Sequence, residues 1–300
     1  MKTLAPIVLF VYKRLDTLIE TINALKRNKL AMESELFIFS DAAKTENDKE
    51  AIIEVRNYIK SISGFKTVTV YEAAVNKGLA NSIIGGVTSI VEKYGKIIVL
   101  EDDLITSINF LDFMNQALDF YESTEQVMSV CGFSFPYKKA SNEDVYFLNR
   151  FWPWGWATWS HQWRSIDWEV SDFESFKLDK IAQKQFSFLG SDVNEMLSKQ
   201  MNGQLDSWAI RWTYHIFKNK GLVLFPEKSK ISNEGFDEFA THTVGLKDRY
   251  ITTIDNTLQH DFKFTREIKI NDYKQKEFLK KFGLQARLLN KLKELFFKNF

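Results

Sequence analysis

A chain of 300 residues, 45% hydrophobic and 26% charged, can bury one large α/β domain or two smaller ones. Its formal net charge of +1 provides no global field, so nothing in the charge balance points to nucleic acid or an acidic polymer. The one cysteine, Cys131, excludes an intramolecular disulfide and a cysteine-based metal cluster, and it suits a reducing cytosol.

The apolar stretch Leu4 to Tyr12 follows Lys2 as a signal peptide would. It contains Pro6, lacks a small-residue cleavage site and runs into Lys13-Arg14, so it reads as a buried first strand. No stretch reaches the ~20 apolar residues that cross a bilayer, and the expectation is a soluble or peripherally attached protein. The pattern predicts a strand over Pro6 to Val11 and a helix over Asp16 to Lys26, with Leu15, Leu18, Ile19, Ile22 and Leu25 on one side. A second strand, Glu35 to Phe39, ends in Ser40-Asp41, and a helix follows through Ile52, Val55, Tyr58 and Ile59. Then come a strand at Thr67 to Tyr71, a helix from Leu79 to Lys93, and a strand Lys96 to Leu100 that ends at Glu101-Asp102-Asp103. Short apolar strands separated by helices imply βαβ units and a parallel sheet covered on both faces. Ligands gather at the carboxyl ends of such strands, where Asp41 and the acidic triplet sit. Past Met128 the alternation dissolves into loops, a tryptophan cluster and further helices, without internal repeats or low-complexity linkers.

The end of the chain differs in charge. Lys263 to Phe300 holds 11 Lys+Arg and 4 Asp+Glu, a net +7 against −6 for the rest. Phe278, Phe282, Leu288, Leu289, Leu292, Leu295 and Phe296 recur there at helical spacing. Basic amphipathic helices are expected, either lying on anionic lipid or docked on the preceding domain or a second subunit.

Three carboxylates in a row after a buried strand repel one another, and their pKa values rise unless something positive is near. A hard divalent cation resolves the conflict and takes carboxylate oxygens readily. If it also binds a diphosphate, it can neutralise a nucleotide leaving group. The competing explanation is an acidic cap on a helix at Ile108 to Tyr121. Asp41 could accept hydrogen bonds from a base or ribose, or cap a helix. Lys77, in Asn76-Lys77-Gly78 ahead of a helix, could contact phosphate. Asp206, in Leu205-Asp206-Ser207-Trp208, precedes a helix carrying Trp208, Trp212 and His215; it is either a catalytic carboxylate or an N-cap. His242, in a polar loop, is a candidate metal ligand or simply solvated. Six of the eight tryptophans fall between Trp152 and Trp168. They could pack a second layer of core, stack on the apolar faces of sugar rings, or do both. No Walker motif, GxGxxG or HExxH is present, which removes the commoner ATPase, dehydrogenase and metalloprotease readings.

Taken in order, five pieces resemble one family. They are the strand Pro6 to Tyr12 ending at Lys13-Arg14, the strand ending Phe39-Ser40-Asp41, Ile97-Ile98-Val99-Leu100-Glu101-Asp102-Asp103-Leu104, the Trp154-Gly155-Trp156 block, and Leu205-Asp206-Ser207-Trp208. Together, over roughly residues 5 to 245, they resemble the GT-A glycosyltransferases. Within these, the similarity is to the group that includes the Golgi N-acetylglucosaminyltransferase acting first on complex N-glycans, together with bacterial polysaccharide transferases. The resemblance implies a Rossmann-like α/β fold, a mostly parallel sheet with helices on both faces. It divides the chain into a catalytic domain, 1–255, and a helical tail, 256–300. The nucleotide-sugar half would cover about 1–130 and the acceptor half about 131–255.

That group uses Glu-Asp-Asp as its version of the DxD motif. By similarity, Asp103 holds the metal, manganese or magnesium, and Asp102, beside Glu101, faces the ribose or donor sugar. Arg14 and Asp41 hold the nucleotide. The family's Trp-Asp-Asp-Trp carries the base at its first aspartate, which matches Asp206; Leu205 and Ser207 replace the Trp and the second Asp. The implied activity is inverting transfer from a nucleoside diphosphate sugar, UDP being the expected carrier, to a glycan or lipid-linked acceptor. Bacterial members work in the cytosol, so a cytoplasmic place at the inner face of the plasma membrane is expected. Two rivals stand beside this reading. A sugar nucleotidyltransferase would show a glycine- and arginine-rich loop after the first strand, and Val11 to Leu15 has no glycine. A non-catalytic carbohydrate-binding protein could use the tryptophans without Asp102 and Asp103.

Overall fold

The computed structural model describes residues 3–138, 142–235, 250 and 252–287. The first half follows the predicted alternation. Strand β1 (Ile7–Val11) leads to helix α1 (Leu15–Lys26), β2 (Glu35–Ser40), α2 (Lys49–Ile59), β3 (Thr67–Glu72), α3 (Leu79–Tyr94) and β4 (Lys96–Glu101). All five residues of β1 are buried. Successive side chains of a strand point to opposite faces, so both faces of the sheet are covered here. Helix α3 ends at Gly95, whose φ of 79° lets the chain turn straight into β4.

Beyond Met128 the expectation of loops and helices needs correction. After β5 (Leu104–Thr106) and α4 (Phe110–Tyr121), the chain adds β6 (Val127–Cys131), β7 (Val145–Leu148), β8 (Trp156–Trp159) and, after several helices, β9 (Leu222–Pro226). The eight-stranded sheet runs β3-β2-β1-β4-β8-β6-β9-β7. The pairs β2–β3, β1–β2, β1–β4 and β6–β9 are parallel, while β4–β8, β6–β8 and β7–β9 are antiparallel. The sheet is thus mostly parallel, with antiparallel strands added beyond β4. These strands were hard to read because their partners lie far off in sequence and β8 is the tetrapeptide Trp-Ala-Thr-Trp, which first reads as an aromatic block.

A second layer of helices packs around Val170, Phe173, Phe176, Phe186, Leu189, Val193, Leu197, Ile210 and Tyr214. It contains α6 (Phe173–Leu178), α7 (Lys180–Phe186), α8 (Val193–Met201) and α9 (Trp208–Lys218), whereas the short α5 (Ser160–Arg164) packs on α3 and β8 and adds Trp163 to the main core. Strand β10 (Ile231–Asn233) pairs antiparallel with β5. From 252 onward the chain lies against the same core. Asp255 pairs with the buried Lys230, Phe262 packs edge-on against Phe113, and Tyr121 donates to the Thr265 carbonyl. Helix α10 (Asp272–Phe282) buries Lys274, Phe278 and Phe282, so the tail is docked intramolecularly as far as it is described. Leu288, Leu289, Leu292, Leu295 and Phe296 lie outside the described residues.

Candidate active site

Strand β1 has β2 on one side and β4 on the other, so the strand order reverses between β1 and β4. At such a reversal the loops leaving the two carboxyl ends diverge and open a crevice. The crevice contains Arg14 from the end of β1 and the triplet from the end of β4. Arg14 Nη2 donates to Asp103 Oδ2 at 2.6 Å and to Asp102 Oδ1 at 3.2 Å. The Tyr12 amide donates to Asp102 Oδ2 at 3.0 Å. Burial works against the Arg14 charge, but Asp102 and Asp103 outweigh it and hold the guanidinium above its ordinary range. The carboxyls pay in the other direction. Burial first, then Asp103 and Asp102, push Glu101 up to about 8. Burial and Asp103, opposed by Arg14, push Asp102 up to about 6. One guanidinium therefore does not neutralise the three acids.

The triplet is not a helix cap. Strand β5 follows it directly, and α4 begins only at Phe110, with Asn109 at its N-cap. Strand β10 passes alongside, and the Glu234 amide donates to the Asp103 carbonyl at 2.9 Å. Gly235 packs against the Asp103 carboxylate so closely that a Cβ there would collide with Oδ2.

Asp41 is not a helix cap either. Its two oxygens accept from the Ala42, Lys77 and Gly78 amides and from Asn76 Nδ2, all at 2.8–3.2 Å. It therefore fixes the loop that enters α3, where Gly78 adopts φ 77°, a conformation that favours glycine. Lys77 is exposed on that loop. Sequence reasoning missed the clamp because it joins residues 35 or more positions apart; the Asn-Lys-Gly tripeptide was its only trace.

Asp206 lies at the amino end of α3, not at the start of its own helix. The cap of α9 is Ser207, whose Oγ accepts from the Ile210 amide. Asp206 is exposed, and its Oδ2 accepts from the Ala80 amide at 3.5 Å. The partial positive charge of the α3 amino terminus favours a carboxylate there. Arg211, whose guanidinium bonds the Trp168 carbonyl, also senses the Asp206 charge.

All these groups line one cavity of about 1160 Å³. Its wall includes Arg14, Asp41, Lys77, Glu101, Asp102, Asp103 and Asp206, with Trp152, Trp154 and Trp208 towards the second half. The tryptophans of the block are mostly core, and two of them also line the cavity. Trp156, Trp159, Trp163 and Trp212 are at most 2% exposed and form core, with Trp156 packed on Trp163 and Trp208. Trp152 and Trp154 reach the cavity. Behind Trp152 sits Arg150, 5.4 Å from its ring centroid and paired in a bidentate manner with Asp192 at 2.6 and 2.8 Å. Sequence reasoning missed this pair, because nothing in the local sequence of either residue marks it. Among the described residues no three His, Cys, Asp or Glu side chains converge on one point. His242 lies outside the described residues.

No family model matches this sequence, and no curated protein matches it. Among solved structures the chain is similar to S. aureus TarS 1-349, at 9% identity and TM-score 0.41, covering 77% of this chain and 60% of that one. A mannosyltransferase from Pyrobaculum calidifontis, in complex with GDP-Man and Mn2+, is similar at 11% identity and TM-score 0.35, over 52% of this chain and 44% of that one. A UDP-glucose pyrophosphorylase complexed with UDP-glucose is similar at 11% and 0.39, over 77% and 92%. The chain thus spans less than two thirds of both transferases. Likenesses this distant concern the course of the chain, and the functional reading is built on the side chains above.

Proposed function

We propose that this chain is an inverting GT-A glycosyltransferase of the N-acetylglucosaminyltransferase I-like group. It would move a sugar from a nucleoside diphosphate sugar, with UDP as carrier, to a glycan or lipid-linked acceptor in bacterial surface polysaccharide synthesis. One observation carries the reading: a single cavity is lined by an under-neutralised acidic triplet, Arg14, Asp206 and a tryptophan wall.

The residues fit a divalent metal of modest protein ligation. Asp103 and its neighbours offer a few hard oxygens, which suits manganese or magnesium that keeps water and takes phosphate oxygens as well. Asp103 would hold the ion, and His242 is proposed as a second ligand. When bound, the ion supplies positive charge to the departing diphosphate. The chain's own groups do the rest. Arg14, poised between Asp102 and Asp103, fixes the first for the ribose or donor sugar and the second for the ion, and holds the nucleotide together with Asp41. The Asp41 clamp fixes the loop that carries Lys77, which would meet phosphate. Asp206 takes the proton from the acceptor hydroxyl as it attacks the anomeric carbon. Trp152, Trp154 and Trp208 hold the acceptor and exclude water. With no second carboxylate needed as nucleophile, the anomeric configuration inverts.

A screen of nucleotide sugars with manganese, read as nucleoside diphosphate release and product anomer by NMR, tests this. Release that depends on acceptor, with an inverted product, is the expected result. Stabilisation by nucleoside triphosphates in place of diphosphates would move the chain to the nucleotidyltransferases, and no nucleotide effect at all to the binding proteins.

A further inference from the structure

The corner between α6 and α7 exposes large apolar side chains. Leu178 is 80% exposed, Ile181 72% and Phe188 54%. The buried side of this corner is already satisfied, since Phe173, Phe176, Phe186 and Leu189 pack into the second core. Ile181, Lys184 and Phe188 recur at helical spacing along the opposite side. Asp179 accepts from the Ile181 and Ala182 amides, fixing the start of α7 with Leu178 and Ile181 on either side of the bend.

Lysines stand among these side chains. Lys177, Lys180 and Lys184 are all exposed. Lys177 meets Glu174 at 3.7 Å, a solvent-exposed contact that neutralises little. Lys180 and Lys184 have no ion pair among the described residues, and the nearby carboxylate of Asp179 is engaged by the helix cap. Helix α10 borders the corner, with Gln275 Nε2 donating to the Phe188 carbonyl at 2.8 Å. Its outward residues Tyr273, Lys276 and Leu284 add apolar and basic groups, while Lys280 is paired with Glu277 and Asp272 is an exposed acid.

Contiguous apolar groups in water mark an interaction surface. Lysines outnumber carboxylates around them, Lys177, Lys180 and Lys184 against Glu174 and Asp179, and this excess selects a negatively charged, apolar-cored partner; an anionic bilayer has both properties. We propose that the α6–α7 corner docks this protein on anionic membrane. Leu178, Ile181 and Phe188 enter the boundary between headgroups and acyl chains, and Lys180 and Lys184 meet the headgroups. Phe188 is followed within a few residues by Asp192 and Val193, which line the cavity. A docked membrane therefore lies beside the acceptor end. That relation serves a lipid-linked acceptor only if the transferase reading holds; the docking itself is independent of it.

The test is flotation of the full chain with phosphatidylglycerol–phosphatidylcholine vesicles and with phosphatidylcholine alone, which requires no activity. The wild type should float with the first and stay behind with the second. Lys180→Gln with Lys184→Gln should weaken partitioning about thirtyfold, at roughly 1 kcal/mol per lysine. Ile181→Asp with Phe188→Asp should abolish flotation, with circular dichroism and melting unchanged because both side chains are exposed. Variants that float like the wild type place the lipid contact elsewhere, in the basic tail, and overturn the proposal. Equal binding to neutral vesicles overturns it, as does a wild type that never floats, whether monomeric or a dimer that the variants dissolve.

Discussion

The two ends of the cavity are built by different means. At the proposed donor end, apolar strands in parallel register place Arg14 and the triplet, and the Asp41 carboxylate adds a clamp on the loop entering α3. At the acceptor end, position comes from side chains. Trp156 packs between Trp163 and Trp208, Arg150 pairs with Asp192 behind Trp152, and Phe282 of α10 leans on the same Trp152. The first arrangement tolerates change wherever the strand pattern is kept. The second depends on particular rings and pairs. Damage at the two ends should therefore separate: donor binding on one side, turnover and stability on the other.

The strongest separation is expected at Asp206. Asp206→Asn keeps the shape and the contact with the Ala80 amide but removes the proton acceptor, so turnover should fall by roughly 10²–10⁴. Nucleoside diphosphate affinity, measured by calorimetry, should remain. Near-normal turnover, or a product retaining the donor's configuration, would end the assignment of Asp206 as base.

Trp156→Ala tests the acceptor half as core. A fully buried aromatic side chain at the seam of β4, β8 and β6 should cost about 3–5 kcal/mol in urea unfolding. A loss below about 1 kcal/mol would mean that the aromatic cluster is not what holds this half.

Asp41→Asn probes the donor end. One amide oxygen cannot replace two carboxylate oxygens that accept from three backbone amides and Asn76. The loop entering α3 should loosen, raising donor KM about tenfold, the effect of one charged hydrogen bond, with kcat nearly kept. A loss confined to kcat would place Asp41 on the wrong side of the comparison.

The smallest effect is the dependence of stability on pH. Glu101 and Asp102 have folded pKa values above their ordinary range, about 8 and about 6. The folded metal-free protein thus holds protons that the unfolded chain has released, and this contribution is complete below about pH 4. It drains as pH rises through about 6 and then about 8. Metal-free melting temperature should fall by a few degrees between these values, and manganese should restore it most at the alkaline end. EDTA should reverse the restoration. A flat profile, with or without manganese, would remove the electrostatic argument for a metal.

What the sequence disclosed follows the same division. Strands β1, β2 and β4 were legible because a strand buried on both faces is a largely apolar run, and the carboxylates at their ends stand out against it; the edge strand β3 showed instead as a short β-branched stretch between helices. The roles of the tryptophans were not, since Trp152 at the cavity and Trp156 in the core sit four residues apart in an identical-looking block. Trp156 lies in β8 between β4 and β6, whereas Trp152 precedes that strand and packs on Phe133, Phe135 and Phe282. The Asp41 clamp, the Arg150–Asp192 pair and the buried Lys230–Asp255 pair join distant segments, and pairing of that kind leaves no periodic signal.

Gly235 has a further consequence. Its neighbour is the Asp103 side chain: a Cβ at this position collides with Oδ2 and meets Cγ at 2.9 Å, and Arg14 Nη1, which lies 3.1 Å away, limits where that carboxylate can go. In a saturation library, every replacement of Gly235 would displace the Asp103 carboxylate before it disturbed any hydrophobic layer. Position 235 should therefore admit a single letter under selection for activity, yet many letters under selection for soluble expression.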